Sequence, residues 1–198
     1  MSGVVYWATD IGGYAPHDTS DPDWRELVVR WFQWSALCPI FRLHGRPRGP
    51  CQVNNTFTYS DNCGGGQRSQ PPSGGTVCDK SNEIWAFGQE SYDAIVVTMH
   101  LRQRLRPYIQ AQWEEAARTG TPPIRPLFWD FPNDAKAALV TDQMMSGPMF
   151  MVAPQFARLN ESGTHREVYL PVLGLGEAWV DDWTNASHVG GETITVST

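Results

Sequence analysis

Two short polar clusters in this sequence bring together side chains able to do chemistry. Asp10 sits in Thr9-Asp10-Ile11-Gly12-Gly13, just after the apolar run Val4-Val5-Tyr6-Trp7, and Arg42 and His44 close Pro39-Ile40-Phe41-Arg42-Leu43-His44. A carboxylate accepts hydrogen bonds, a guanidinium donates several in a fixed fork, and an imidazole does either. Their placement matters more than their types. In βα barrels active sites form at the C-terminal ends of strands, and each cluster ends a strand-like run. Adjacent strands would bring Asp10, Arg42 and His44 to one rim. A purely structural account is also open, with Asp10 capping amides of its own turn and Arg42 pairing with it.

Other constellations fail. The five histidines show no metal-ligand spacing, no two cysteines form a CxxC pair, and no metal or other cofactor is expected. Gly64-Gly65-Gly66 lacks the Lys-Ser/Thr of a phosphate-binding loop, and no serine stands in a nucleophile elbow. Asp181-Asp182 reads as a solvated turn.

The elements that would position the clusters are legible from periodicity. Val4 to Trp7 is continuously apolar and β-branched, as in a strand buried on both faces. Asp21-Pro22 has the order of an N-cap and first helical residue. Trp24, Leu27, Val28, Trp31, Phe32 and Ser35 then recur at helical spacing. Pro39 to Leu43 predicts a second strand. Residues 46–81 form a Gly/Pro/Ser-rich insertion, too long for an ordinary connection. A helix follows over about Ser91 to Arg118, with Pro107 as a kink and Gly120 as its stop. Its apolar stripe is Tyr92, Ile95, Val96, Met99, Leu105, Ile109 and Trp113. Beyond it, Ile124–Phe128, Met149–Val152, Glu167–Leu170 and Thr193–Val196 are short strand-like runs, the signature of a small antiparallel β domain. The expected fold class is α/β then β: βα units over residues 1–119, and an antiparallel β domain over 120–198.

The chain has 198 residues, 41% hydrophobic and 18% charged, a globular composition. Its formal charge of −6 and lack of any basic block argue against a nucleic-acid partner. No apolar run approaches the roughly 20 residues that span a bilayer, and the N-terminal residues do not read as a signal peptide. Nine Trp, eight Phe and six Tyr suit a site that stacks on sugar rings, although large aromatics also fill cores. Asn54, Asn160 and Asn185 each begin a glycosylation sequon, and Cys51, Cys63 and Cys78 lie in the polar insertion. Both features lean towards an extracellular setting. Cys38, in an apolar run, reads as a buried free thiol.

Tyr6-Trp7-Ala8-Thr9-Asp10-Ile11-Gly12-Gly13-Tyr14 resembles the Trp-Thr-Thr-Asp-Ile-Gly-Gly-Phe-like segment of family 31 glycoside hydrolases, which include α-glucosidases and α-xylosidases. The resemblance continues through Arg30-Trp31-Phe32-Gln33, Cys38-Pro39-Ile40-Phe41-Arg42-Leu43-His44-Gly45, Asn82-Glu83-Ile84-Trp85-Ala86-Phe87-Gly88 and Leu101-Arg102-Gln103-Arg104-Leu105-Arg106-Pro107-Tyr108. It extends into Arg125-Pro126-Leu127-Phe128, Asp142-Gln143, Val152-Ala153-Pro154 and Val168-Tyr169-Leu170-Pro171. It implies the last two βα units of a (β/α)8 barrel followed by the start of a β-sandwich domain. It further implies an α-linked glycoside or oligosaccharide as partner. By resemblance His44 donates hydrogen bonds to sugar hydroxyls, Asp10 and Arg42 line the same subsite, and Tyr14 forms part of its wall. An α-xylosidase-like member is the nearer likeness.

Family 31 enzymes retain configuration at the anomeric carbon, which requires two carboxylates roughly 5 Å apart. The resemblance implies that both lie on barrel strands ahead of the Asp-Ile-Gly-Gly segment, and no Asp-Met-Asn-Glu-like motif occurs in this sequence. The expectation is a chain with sugar-contacting residues but without the catalytic pair, and with an unpaired strand edge that disfavours solubility. The sequence leaves oligomeric state open.

Overall fold

The computed structural model describes residues 3–13, 19–44, 83–158 and 165–197. Tyr14, the insertion at 46–81 and its three cysteines lie outside the described residues. Two compact units divide the chain: Tyr6–Arg106, and Pro107–Thr198 together with Met1–Val5.

The first unit is built on a parallel pairing. Ala8 bridges Ile40 and Ile11 bridges Leu43, both in parallel sense. The ladder runs from Ile40 N–H to Trp7 C=O at 3.1 Å, through Ile11 N–H to Arg42 C=O at 3.1 Å, to His44 N–H on Ile11 C=O at 2.8 Å. Helix α1 (Pro22–Ser35) connects the two segments, as a parallel crossover requires. Asp21 caps it as expected, its side chain accepting from Asp23 N–H, and Pro22 fills the first turn. Val28, Phe32 and Ser35 point into the core, whereas Leu27 of the expected stripe is exposed.

The first strand lies later than the sequence predicts. Val4 and Tyr6 are 58% and 66% exposed, and the pairing falls on Trp7–Ile11. The apolar start of the stretch is thus left open rather than buried on both faces. The core gathers Ile11, Val28, Phe32, Phe87 and Ile95. Each such side chain contributes about 1.5–3 kcal/mol through burial. Phe87 comes from a 3₁₀ turn at Ile84–Phe87, and Ile95 from helix α2 (Gln89–Thr119). Pro107 lies inside α2. Gly120, at φ 77° and donating to Ala116 C=O at 2.8 Å, ends it as a left-handed cap.

The second unit holds small antiparallel sheets. Strands β1 (Ile124–Pro126), β2 (Met144–Ser146) and β3 (Phe150–Val152) form one sheet in that order. Strand β4 (His165–Tyr169) pairs with β7 (Thr193–Ser197), and β5 (Trp179–Val180) pairs with β6 (Ser187–His188). The expected strand at Ile124–Phe128 stops at Pro126. Leu127–Asp130 coils into the helical turn α3, because Arg125 grips Asp130 with two hydrogen bonds of 2.7 and 2.8 Å. Asp181 accepts from Trp183 N–H at 2.8 Å and so shapes the predicted turn.

Leu127, Ala137, Met145 and Tyr169 form this unit's core. Two polar side chains brace it. The Gln143 amide accepts from Tyr169 N–H at 2.8 Å and donates to Tyr169 C=O at 2.7 Å, standing in for a neighbouring strand. Asp134 accepts from the Tyr169 hydroxyl at 2.7 Å and from the N–H groups of Val172, Lys136 and Ala137. Desolvation works against the Asp134 charge, but these four donors outweigh it and hold the carboxyl below the ordinary aspartate value. Burial first, and Asp134 second, push the Tyr169 hydroxyl up to about 12.

A carboxyl lowered on folding stabilises the fold above its unfolded value, and that contribution disappears as pH falls through the lowered one. Acid titration of the melting temperature should therefore show a loss below the ordinary aspartate value, and Asp134→Asn should flatten that part of the profile. Gly147 supplies a second test. It sits at φ 61°, where an added Cβ would collide with the Tyr108 hydroxyl and approach the Gln112 side chain to 2.7 Å. Gly147→Ala should cost about 2–4 kcal/mol in urea unfolding, through overpacking and a left-handed backbone.

Candidate functional site

Register decides which side chains meet. Both parallel bridges share one offset, so Asp10 stands across from Arg42, with Gly12 and His44 next along. Alternation then sorts the two faces. Trp7, Thr9, Ile11, Phe41 and Leu43 turn towards the helices. Trp7 packs on Trp34 with centroids 6.1 Å apart, Phe41 meets Phe32 edge-on at 5.7 Å, and Thr9 Oγ1 lies 2.5 Å from Ser35 Oγ. Asp10 and Arg42 are left on the opposite face.

There Arg42 Nη2 donates to Asp10 Oδ1 at 2.6 Å. The two side chains are 44% (Asp10) and 56% (Arg42) exposed, so the pair is open to a ligand rather than sealed in a core. The Arg42 hydrogen bond holds the Asp10 carboxyl below its ordinary value against a smaller desolvation effect, and the charges of Arg42 and His44 act in the same direction. His44 follows on the same strand, fixed through its backbone N–H to Ile11.

The turn after the strand is equally specified. Asp10 C=O accepts from Gly13 N–H at 2.8 Å, and Gly12 at φ 81° occupies the position of a type II turn that demands a positive φ. Asp10 itself has φ 51°, a left-handed conformation that costs most residues roughly 1 kcal/mol or more and that aspartate tolerates better. Strain of this kind held by its surroundings is frequent at functional sites. Of the two structural roles open in the sequence, the side chain takes the pairing with Arg42, while the turn is closed by the Asp10 carbonyl. Tyr14 lies outside the described residues. Among them, no three His, Cys, Asp or Glu side chains come together to hold a metal ion.

One contributor escaped the sequence reading. Arg102, on α2, donates to Ala36 C=O at 2.9 Å, Cys38 C=O at 2.6 Å and Pro39 C=O at 3.0 Å, and its guanidinium lies 5.8 Å from the Phe41 ring centroid. Its signal was a cation seven residues after Ile95, inside the helix's apolar stripe. Beside it Cys38 is a buried free thiol as expected, pushed up to about 12 by burial.

Comparisons with known proteins give the family. Residues 1–62 match the family model for the glycosyl hydrolases family 31 TIM-barrel domain, and residues 120–198 match that for the family 31 C-terminal domain. The chain is 31% identical over 196 residues to an α-xylosidase of Saccharolobus solfataricus, covering 99% of this chain and 22% of that protein. It is 30% identical over 197 residues to α-glucosidase 2 of Bacillus thermoamyloliquefaciens, covering 100% of this chain and 20% of that protein. Among solved structures, a family 31 α-xylosidase from a soil metagenome, complexed with xylose, superposes with a TM-score of 0.75 at 37% identity. That alignment covers 98% of this chain and 26% of the other. The chain belongs to glycoside hydrolase family 31. It spans about a quarter or less of the length of these relatives.

The Asp10–Arg42 pair makes a direct prediction. Replacing Arg42 with Met removes the largest cause of the lowered Asp10 value, so the Asp10 carboxyl should titrate closer to an ordinary aspartate. Carboxyl-carbon NMR across acid pH measures this, and an unchanged titration would mean that the two side chains do not pair in solution.

Proposed function

We propose that Asp10, Arg42 and His44 form part of the sugar-binding rim of an α-glycoside-hydrolysing site, of the α-xylosidase or α-glucosidase kind. In this reading residues 1–119 are barrel βα units carrying the rim, and residues 120–198 are a β-sandwich domain. His44 donates to a sugar hydroxyl. Asp10 accepts from a second one, while Arg42 orients Asp10 and lines the same subsite. Tyr14 borders the sugar.

The observation that carries the proposal is the exposed, in-register Asp10–Arg42 pair at the ends of parallel segments. A carboxylate fixed by a guanidinium presents its remaining lone pairs to a ligand in one orientation, which suits recognition of vicinal hydroxyls. The xylose complex of the relative at 37% identity supports the choice of sugar class.

The same pair argues against a catalytic role for Asp10. A general acid in glycoside cleavage needs a raised value, whereas Arg42 lowers that of Asp10. A nucleophile needs a second carboxylate about 5 Å away to protonate the leaving oxygen. The chain alone is therefore proposed to bind sugar without turning it over.

Purified chain should not release nitrophenol from nitrophenyl α-xyloside or α-glucoside. NMR titration with xylose should shift resonances of the Asp10–His44 region, and His44→Ala should weaken binding about tenfold, the effect of losing one hydrogen bond of roughly 1.4 kcal/mol. Turnover abolished by Asp10→Asn would overturn the non-catalytic assignment. Binding indifferent to His44, Asp10 and Arg42 would overturn the site.

A further inference from the structure

We infer that Arg102 is a positioning residue for the Asp10–Arg42–His44 cluster, holding the segment that delivers Arg42 to Asp10. The inference builds on the proposed sugar-binding reading of that cluster.

Helix α1 ends at Ser35, and the second parallel segment begins pairing at Ile40. The four intervening residues, Ala36–Pro39, must reverse direction and enter the strand in a fixed register. Their backbone has few internal bonds: Ala36 N–H to Phe32 C=O, Leu37 N–H to Trp34 C=O at a long 3.4 Å, and Cys38 N–H to Ser35 C=O. Three of their four carbonyls, those of Ala36, Cys38 and Pro39, point at one guanidinium. Carbonyls left unpaired in this buried stretch would each be costly, and a planar fork of five donors satisfies three of them at once. Arg102 also faces the Phe41 ring, the residue immediately before Arg42.

The consequence runs along the strand. Pro39 is anchored at its carbonyl, Ile40 by its N–H to Trp7, and Arg42 lies two residues beyond. The 2.6 Å contact between Arg42 and Asp10 depends on that register. Because both side chains are about half exposed, little packing around them would restore the contact once the segment shifted. Lysine cannot replace Arg102 fully, since one ammonium cannot span three carbonyls in a fork.

The test uses the Asp10 carboxyl titration in the 198-residue chain, compared among wild type, Arg102→Met, Arg102→Lys and Arg42→Met. The expected result is that Arg102→Met moves the Asp10 titration towards that of Arg42→Met, and that Arg102→Lys falls between. Far-ultraviolet circular dichroism should show helix content retained in both Arg102 variants. An Asp10 titration identical to wild type in a folded Arg102→Met chain would overturn the inference. Loss of fold in both Arg102 variants would overturn it too, making Arg102 a residue of general stability. None of these outcomes requires sugar to bind, so failure of the sugar-binding proposal would be read separately from xylose titration of the wild-type chain.

Discussion

The parallel register between Trp7–Ile11 and Ile40–His44 is the constraint on which the first unit depends. Parallel strands cannot be joined by a tight turn, so α1 is obligatory, and its apolar side must cover one face of the pair. That requirement commits alternate residues to the helix side: Ile11 is 1% exposed and Leu43 packs into the same core. Asp10, Arg42 and His44 fall on the other face as a result. A slip of one residue in the second segment would turn Arg42 into the core and Leu43 out of it, and the same slip in the first would do so to Asp10 and Ile11. Hydrophobic burial on one side thereby fixes the polar chemistry on the other.

Arg102 and Gln143 show a related economy in the two units. Each uses a planar polar side chain to satisfy backbone groups where no strand or helix does so. Arg102 serves three carbonyls of a four-residue connection, and Gln143 serves both the N–H and the C=O of Tyr169. Short sheets leave many such groups at their edges, and an unpaired buried donor or acceptor costs about 1–3 kcal/mol. Strands of only two to five residues can persist in the second unit because side chains such as Gln143, Arg125 and Asp134 complete what the ladders leave open.

The sequence disclosed those features that depend on neighbours along the chain. Asp21-Pro22 capping α1, Gly120 ending α2, the strand-end placement of Asp10, Arg42 and His44, and the burial of Cys38 all follow from local pattern. Features set by distant partners are not legible in it. Val4–Trp7 has the pattern of a doubly covered strand, but composition reports apolarity and not which faces are covered. Met144-Met145-Ser146 carries little strand signal of its own, because its methionines are unbranched, and the pairing with both β1 and β3 supplies what preference does not. Phe128 continues an apolar strand-like run in the sequence, whereas the Arg125–Asp130 fork bends the chain before it. The pairing of Asp10 with Arg42, rather than with its own turn, could only come from register.

What the cluster can do follows from the state of Asp10. Asp10 is held ionised by a cation at 2.6 Å, in a backbone conformation that points it away from the helices. A group so fixed is a poor proton donor and a good acceptor, since its charge does not change near neutral pH and its geometry is set before a ligand arrives. Preorganisation of this kind favours recognition, because little ordering remains to be done when the ligand binds. Chemistry at an anomeric carbon asks for the reverse: a carboxyl whose proton can move and a second one facing it. Under the sugar-binding proposal, the environment that suits Asp10 to contact a hydroxyl is the same one that would withhold it from the bond-breaking step.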